Sequence, residues 1–211
     1  LAISFVFPLF GEGEGLRVVH GEVGPLTSDG RGNFVLESSG NAIVEWDRFS
    51  VASHETFHFQ QDLATSAILN RVLGGAASEI AGLLTSNGTV FLINPGGILI
   101  QEGGRIQTAS FLASTLDLSN DHFLKGEGLL FGSGEGKGIE HRGEIVSPKG
   151  DVILVAPEVR HEGRIEGGRV LLLAQEAVWI DPGRRDLKEV VSRLKEGESP
   201  YAQAIGGSLF A

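Results

Sequence analysis

The most constraining feature of this sequence is a short segment that occurs twice. Ile139–Ile145 (IEHRGEI) recurs twenty residues later as Val159–Ile165 (VRHEGRI). A second segment, Gly150–Ala156, recurs eighteen residues later as Gly168–Ala174. Strand-like units that repeat at so short a period are typical of solenoids, in which each unit buries its apolar face by stacking on a neighbour. The repeat therefore predicts a solenoid of short strands.

The charged positions of the first segment change sign between its two copies. Three positions oppose an acidic and a basic residue: Glu140 and Arg160, Arg142 and Glu162, and Glu144 and Arg164. Opposite charges directly across neighbouring strands stabilise a sheet by roughly 0.2–1 kcal/mol, whereas like charges destabilise it. We therefore predict adjacent parallel strands in register, as in a β-helix, with structural charge pairs between the turns. His141 and His161 should stack on successive turns.

Composition agrees with a single all-β domain. The chain has 31 glycines in 211 residues, roughly twice the usual frequency of ~7%, and they are spread between short apolar segments.

We divide the chain into an N-terminal strand and cap region (1–40), β-helix turns with extra-helical elements (41–180), and a helix and tail (181–211). The helix is predicted from an apolar stripe at i, i+3, i+4 and i+7, and it should lie on the flank of the solenoid. Its members are Leu187, Val190, Val191 and Leu194.

Charge and cysteine content argue against several function classes. The net charge is −10, from 17 basic and 27 acidic residues, and no basic patch is visible for nucleic acid or anionic lipid. The chain has no cysteine, which excludes disulfides, thiolate metal sites and a cysteine nucleophile. Residues 1–10 are apolar but far shorter than the ~20 residues of a membrane-spanning helix. They are either a signal-peptide remnant or a strand of the cap.

Several polar and aromatic residues have a plain structural interpretation. In Asn94–Gly97, proline fixes φ, glycine permits positive φ, and asparagine can cap its own turn. Trp46 and Phe49 lie in an apolar segment and are predicted to belong to the core. His54 and His58 have the spacing of a helical metal pair, but the sequence around them alternates like a strand, where that spacing is ~13 Å. We therefore predict neither a metal site nor a cofactor.

Three segments that occur in order carry a family resemblance: Asn41–Trp46 (NAIVEW), Phe57–Gln60 (FHFQ) and Val90–Ile98 (VFLINPGGI). Together with Val18–Gly21 and Ala113–Asp117, they resemble the secretion domain of two-partner secretion exoproteins, the filamentous haemagglutinin N-terminal domain family. The chain is most similar to the branch of high-molecular-weight adhesins from Gram-negative bacteria. The resemblance covers roughly residues 15–175, which is most of the chain.

The resemblance implies a right-handed parallel β-helix with an N-terminal cap and small extra-helical sheets. It also implies a dedicated partner in the outer membrane, a β-barrel transporter whose periplasmic polypeptide-transport-associated domains recognise the chain. The family's Asn-Pro-Asn-Gly-Ile motif is tied to secretion, and here Gly96 stands in place of the second asparagine. Because both residues tolerate a left-handed backbone, we expect the turn to survive. By this resemblance, the secretion and recognition residues are Asn41, Ile43, Trp46, Asn94, Pro95, Gly96, Gly97 and Ile98.

We therefore predict a non-enzymatic secretion module of a larger adhesin- or haemagglutinin-like exoprotein. The module is expected to be a monomer at the N-terminus of that protein, to cross the periplasm, and to nucleate β-helix folding outside the cell. One alternative is an adhesion module that itself binds host glycan or matrix, for which an aromatic groove would be expected. Another is a polysaccharide-processing β-helix enzyme, which would need clustered carboxylates. The sequence shows neither feature.

Overall fold

A computed structural model of the protein describes residues 14–126, 128–132 and 136–180, together with the backbone of residues 209–210. Nearly all regular structure in these ranges is β-strand, and the one helix is α1 (Asn120–Lys125), between the twelfth and thirteenth strands. In chain order the strands are β1 (Arg17–Val23), β2 (Thr27–Ser28), β3 (Asn33–Trp46), β4 (Thr56–Gln61), β5 (Ala67–Val72), β6 (Ser78–Ile80), β7 (Leu83–Ser86), β8 (Thr89–Ile93), β9 (Ile98–Ile100), β10 (Arg105–Gln107), β11 (Ser110–Ser114), β12 (Asp117–Leu118), β13 (Leu129–Gly132), β14 (Ile139–His141), β15 (Glu144–Ala156), β16 (Val159–His161), β17 (Arg164–Ala174), β18 (Val178–Ile180) and β19 (Leu209–Phe210).

The strands stack into a parallel β-solenoid of about six turns, which confirms the predicted fold class. Its turns contribute to three parallel sheets. Sheet A contains the first half of β3, then β4, β7 and β10, and the first halves of β15 and β17. Sheet B contains the second half of β3, then β5, β8 and β11, and the second halves of β15 and β17. Sheet C contains β6, β9, β14 and β16.

The register between the last turns confirms both repeat offsets. Ile139 pairs with Val159 in sheet C, which is an offset of twenty. Val152 pairs with Val170 in sheet B, an offset of eighteen. The difference arises at the corner between sheets A and B, where the register shifts after Ser147. The corner of the later turn is two residues shorter than that of the turn before, while the strands on both sides of it stay in register.

The charge columns form ion pairs at two of the three predicted positions. Nη1 of Arg164 lies 2.9 Å from Oε1 of Glu144, and Nε of Arg142 lies 3.6 Å from Oε2 of Glu162. Nε of Arg105, from the preceding turn, lies 3.0 Å from the other oxygen of Glu144. Sign alternation therefore extends over three turns in this column. These side chains are partly exposed, so each pair contributes little alone.

The third charge pair is in register but is not an ion pair. Glu140 and Arg160 are direct neighbours in sheet C. Glu140 pairs instead with Arg142 of its own turn. Nη2 of Arg160 lies 3.4 Å from Oε1 of Glu158, also within one turn. Each side chain thus binds an opposite charge two residues away in its own turn, and the predicted contact between the turns is not formed.

Apolar side chains fill the interior of the solenoid. At the N-terminal end this core is aromatic, with neighbouring ring centroids 4.8–6.2 Å apart, within the range favourable for aromatic pairs. The aromatic cluster consists of Phe34, Trp46, Phe49, Phe57 and Phe59. Trp46 and Phe49 are buried in it, as predicted. Aliphatic side chains continue the core along the later turns.

A second core lies on the outer face of sheet B. The chain leaves the solenoid after β11, forms β12, α1 and β13, and returns at β14. β12, β13 and the later β18 form a small antiparallel sheet. With α1, this extra-helical layer covers outward side chains such as Leu69, Phe91 and Ile153. Strands of sheet B are thus buried on both faces, which explains their continuous apolar sequences.

Two details of the extra-helical layer follow from local hydrogen bonds. The apolar segment 109–118 is divided into β11 and β12, because Oγ of Ser114 accepts a bond from the backbone N–H of Leu116 (2.9 Å) where the chain turns outward. Helix α1 was not predicted, although its signals are present. Ser119 caps its first turn, and Gly126 ends it with a φ of 64°, as helix ends commonly do.

Two antiparallel strands cover the first turn. β1 and β2 both pair with β3, so they protect an edge that would otherwise be open. The first turn itself starts at Asn33, because residues 33–38 pair in parallel with β4. Residues 33–38 thus already pair within the solenoid, ahead of the boundary at residue 40 in our division of the chain. The helix predicted around Leu187–Leu194 lies outside the described residues. Among the described residues, no helix is long and apolar enough to cross a membrane.

A row of polar side chains lines the inner corner between sheets A and B. Its members are all buried: Ser38, Gln61, Ser86, Thr108 and Ser147. The later members are hydrogen-bonded: Ser86 Oγ donates to the carbonyl of Phe59 (2.9 Å), and the hydroxyls of Thr108 and Ser147 lie 3.1 Å apart. Small polar residues fit this corner because their hydroxyls can bond to neighbouring turns where the strands end.

A buried hydrogen-bond chain joins the first three turns. Nε1 of Trp46 donates to Oδ1 of Asn70 (3.0 Å), and Nδ2 of Asn70 donates to the carbonyl of Phe91 (3.2 Å). Trp46 and Asn70 are both fully buried. Asn70 therefore satisfies an indole N–H that has no access to water.

We predict that Asn70→Leu destabilises the protein by about 1–3 kcal/mol, because it leaves the Trp46 N–H buried without an acceptor. In a Trp46→Phe background the same change should cost about 1 kcal/mol less, since no donor remains. Urea unfolding followed by far-ultraviolet circular dichroism measures all four corners of this cycle. Equal costs of Asn70→Leu in both backgrounds would show that the bond contributes nothing.

The two histidines of the repeat stack as predicted. The rings of His141 and His161 are parallel within 2°, with centroids 4.9 Å apart and Nδ1 atoms 2.8 Å apart. His141 is fully buried, and its Nε2 has no hydrogen-bond partner. Burial, followed by the proximity of His161, lowers the pKa of His141 to about 4.

This depressed pKa predicts acid sensitivity. The unfolded chain binds a proton at His141 below pH ~6.5, whereas the folded protein does so only near pH 4. Stability from neutral His141 is therefore present above pH ~6.5 and is lost as pH falls towards 4, by up to about 3 kcal/mol. His141→Gln should flatten this part of the stability profile. The same substitution at exposed His20 should keep the slope, and an equal slope in the His141 variant would contradict the assignment.

Candidate functional site

The predicted secretion residues lie in two separate places in the solenoid. Asn41–Trp46 belongs to β3 in the first turn, and Asn94–Ile98 forms the corner between β8 and β9 in the third turn. β5 lies between β3 and β8 in sheet B. The two segments therefore do not form one continuous surface.

Asn94 links three turns through its backbone and side chain. Its Nδ2 donates to the carbonyl of Ala76 (3.1 Å) and to Oγ of Ser78 (2.8 Å) in the second turn. Its Oδ1 accepts from the backbone N–H of Gly96 (2.8 Å), which closes its own turn. Its backbone N–H donates to the carbonyl of Ser114 (2.9 Å) in the fourth turn. The side chain is fully buried, so these bonds are shielded from water.

The two glycines of this turn are needed for different reasons. Gly97 has a φ of 108°, which disfavours any residue with a side chain. A Cβ on Gly96 would lie 2.7 Å from the carbonyl oxygen of Ala76 and 2.8 Å from that of Gly75. The turn survives, as expected, but Gly96 does not have a positive φ. Gly96 is required by the close approach of the preceding turn.

Asn41 and its strand contribute little exposed surface. Asn41 is exposed at the corner within β3, and its Oδ1 accepts from the backbone N–H of Ala67 (3.2 Å). Ile43 and Trp46 are fully buried, on opposite faces of sheet B. Of the eight predicted residues, only Asn41 and Pro95 are exposed. In the folded domain the motif residues hold the turns together, and almost none of their surface is accessible to a partner protein.

Contacts of Asn94 with other turns were not apparent from the sequence. Ser78 and the carbonyls of Ala76 and Ser114 complete its hydrogen bonds. No local pattern marks Ser78, because the turns have unequal lengths and its contact depends on the register between them. The asparagine itself could be found because Asn-Pro-Gly is a recognisable turn sequence.

Residues 14–126, 128–132 and 136–180 contain no group of three or more histidines and carboxylates that could hold a metal ion. Nδ1 of His58 lies 2.7 Å from Oγ1 of Thr85, and its Nε2 lies 3.0 Å from Oε1 of Gln60. Two surface grooves are lined by polar, charged and small apolar residues without aromatic side chains.

Comparison with known proteins identifies similar chains. The family described as TPS secretion domain matches residues 20–194. A heme/hemopexin-binding protein of Haemophilus influenzae strain Rd is 36% identical over 105 residues, which are 50% of this chain and 12% of that protein. A second heme/hemopexin-binding protein of Haemophilus influenzae is 39% identical over 84 residues, 40% of this chain and 9% of that protein. The match thus spans about a tenth of the length of these curated relatives.

Among solved structures, the HMW1 secretion domain from Haemophilus influenzae superposes with a TM-score of 0.75 at 35% sequence identity. The superposition covers 82% of this chain and 48% of that chain. Both the fold and the sequence are therefore shared over most of the described residues.

The packing at Gly96 predicts that a side chain is not tolerated there, even the asparagine of the family motif. Gly96→Ala and Gly96→Asn should each destabilise the protein by about 1–3 kcal/mol, since the added atoms meet backbone of the preceding turn. Gly75→Ala is the matched control, because no atom lies within 4 Å of a Cβ at that position. Urea unfolding of the three variants provides the measurement. A Gly96→Asn protein as stable as the parent would refute the packing argument.

Proposed function

The chain belongs to the TPS secretion domain family, and we propose that its motif residues are recognised before the domain folds. It is the secretion module of a two-partner secreted exoprotein, a class of proteins that passes through the periplasm. The partner we propose is an outer-membrane β-barrel transporter with periplasmic polypeptide-transport-associated domains. The exoprotein would then be released to, or held at, the surface of a Gram-negative bacterium.

Burial of the motif is the observation that carries this proposal. Ile43, Trp46 and Asn94 are 0% exposed in the folded domain, and Ile98 is 2% exposed. A transporter can contact these side chains only while the chain is extended. Segments rich in β-branched and aromatic residues, such as Asn41–Trp46, are suited to add as a strand to the edge of a partner's sheet.

After export, the same residues serve folding. Asn94 ties the second, third and fourth turns together, and the aromatic cluster around Trp46 fills the first two. At the other end Val170 of β17 is 37% exposed, whereas Val152, its partner in the turn before, is 0% exposed. β19 pairs antiparallel with Leu172 and Leu173 of the same strand. Further turns of the exoprotein would stack on β17 in place of β19, so that the domain acts as a nucleus for β-helix growth.

We assign host binding to the rest of the exoprotein. The relatives named for binding heme and hemopexin share only 9–12% of their length with this chain. We assign no reaction to the domain, which acts as a monomer. The two grooves of the described residues contain no aromatic side chain, so they give no support to the glycan-binding alternative.

Export of a reporter passenger through the cognate transporter tests the proposal. Asn94→Ala and Asn41→Ala should each reduce the passenger in the medium severalfold while its synthesis is unchanged. Each variant has a matched control outside the motif. Asn70 is a buried asparagine that also donates to a backbone carbonyl, and Asn87 is an exposed corner asparagine bonded to the backbone of Gln61.

Comparison with these controls separates recognition from stability. If recognition occurs in the extended chain, Asn70→Ala and Asn87→Ala should be exported normally despite their lost hydrogen bonds. Equal losses for motif and control variants would indicate that folding, not recognition, limits export. Normal export of both Asn94→Ala and Asn41→Ala would contradict the proposal.

A further inference from the structure

The sequence contains one asparagine that is followed directly by glycine, Asn87 before Gly88. The two residues form the corner between β7 and β8 in the third turn, where Asn87 is exposed and Gly88 is buried. Glycine has no side chain to hinder its own backbone nitrogen, so this nitrogen can attack the amide of the preceding asparagine. Asn94 of the motif cannot react in this way, because Pro95 has no backbone N–H.

The reaction is an intramolecular substitution that releases ammonia. The backbone nitrogen of Gly88 forms a bond to Cγ of Asn87, the bond between Cγ and Nδ2 breaks, and Nδ2 leaves as ammonia with the proton of the attacking nitrogen. Water then opens the cyclic imide at one of its two carbonyl carbons. The product is either aspartate or isoaspartate, in which the backbone runs through the former side chain. The net change is hydrolysis of one amide, and water is the only co-reactant.

In the folded domain the amide of Asn87 is bonded at both ends to the second turn. Its Oδ1 accepts from the backbone N–H of Gln61 (2.7 Å), and its Nδ2 donates to the carbonyl of Gln61 (2.7 Å). Attack at Cγ turns the planar amide into a tetrahedral centre, which displaces both of its polar atoms. The reaction therefore has to break these two bonds.

The attacking nitrogen is restrained as well. The N–H of Gly88 donates to Oγ of Ser86 (3.1 Å), and the carbonyl of Gly88 accepts from the backbone N–H of Ala109 (3.1 Å) in the fourth turn. The N–H of Gly88 must leave the Ser86 hydroxyl before its nitrogen can lose the proton and turn towards Asn87. Turns on both sides thus hold the reacting atoms apart.

The packing of the turns requires both members of this reactive pair. A Cβ on Gly88 would lie 2.6 Å from Cδ of Gln61, whose side chain is 1% exposed. A larger residue would therefore displace the buried amide of Gln61. Asn87 is required by its two bonds to the backbone of the same residue. The reactive pair is thus a consequence of the way the second and third turns stack.

We propose that Asn87 is a site of spontaneous deamidation that is open in the extended chain and closed when the second, third and fourth turns fold. The extent of deamidation then measures the time for which a chain has remained unfolded. The product weakens the corner, because a carboxylate has no N–H to donate to the carbonyl of Gln61 and isoaspartate adds a backbone carbon between β7 and β8. The reaction involves no transporter, so it stands or fails independently of the proposed recognition.

Mass spectrometry of the folded and the denatured protein, incubated side by side in mildly alkaline buffer, tests the site. Trypsin releases residues 72–105 as one peptide, because no lysine or arginine lies between Arg71 and Arg105. The one-dalton gain at Asn87 should appear at least about tenfold more slowly in the folded protein, since the two bonds to Gln61 must break first. Equal rates in the two states, or no gain in the denatured chain, would overturn the proposal.

Glu102→Asn provides an internal control, because it places a second asparagine before a glycine in the same tryptic peptide. Glu102 and Gly103 are both exposed, at the corner between β9 and β10. In the denatured variant the two sites should react at similar rates, whereas in the folded variant the new site should react much faster than Asn87. Equal protection of both sites in the folded variant would show that the bonds to Gln61 are not the cause.

Asn87→Asp measures the effect of the product on the folded domain. This variant should unfold at a lower urea concentration than the parent, because the bond to the carbonyl of Gln61 is lost. Ser53→Asp is the control, since it adds the same charge at another exposed position. An Asn87→Asp protein that unfolds at the same urea concentration as the parent would refute the weakening of the corner.

Discussion

Every interior turn of this solenoid takes its backbone hydrogen bonds and its apolar burial from the turns on either side. No turn has a hydrophobic face that it can bury alone, so stability depends on nearest neighbours, as in other repeat architectures. Side chains that cross between turns therefore matter more than contacts within one. Asn70 and Asn94 each bond to a neighbouring turn from a fully buried position. They fix the register where a purely apolar core would permit slippage.

The first edge of the solenoid and the outer face of sheet B are covered by different elements. β1 and β2 close the first edge by antiparallel pairing. The extra-helical layer covers the apolar outer side of sheet B and is anchored by Arg71, whose Nε lies 3.0 Å from Oδ1 of Asp117. Nη1 and Nη2 of Arg71 also donate to Asn120 Oδ1 (2.9 Å) and to the carbonyl of Leu118 (2.6 Å). This largely buried cation thus holds the start of the inserted segment against the solenoid.

Much of this architecture could be predicted from the sequence where successive turns have similar length and composition. The copies in the last turns match at their histidine, glycine and apolar positions, so the offset, the parallel pairing and the histidine stacking could be inferred from the copies alone. Features that depend on three-dimensional proximity could not be predicted. The required absence of a side chain at Gly96 comes from the carbonyl of Ala76, twenty positions earlier. Likewise, both Arg142 and Arg160 lie within reach of Glu140, and only the side-chain geometry shows that it binds Arg142.

The small sheet of β12, β13 and β18 has a consequence for the time course of assembly. Turns of the solenoid can add one after another, each with a local entropic cost of closing a short loop. The small sheet instead pairs Leu129 with Ile180, across more than two complete turns. Outward apolar side chains such as Leu112 and Ile153 therefore stay in water until both distant segments are available, whichever end of the chain orders first. The turns add one after another, but the small sheet closes only when two distant segments meet, in a single cooperative step. The complete domain should therefore fold with different kinetics from a shorter stack of its turns.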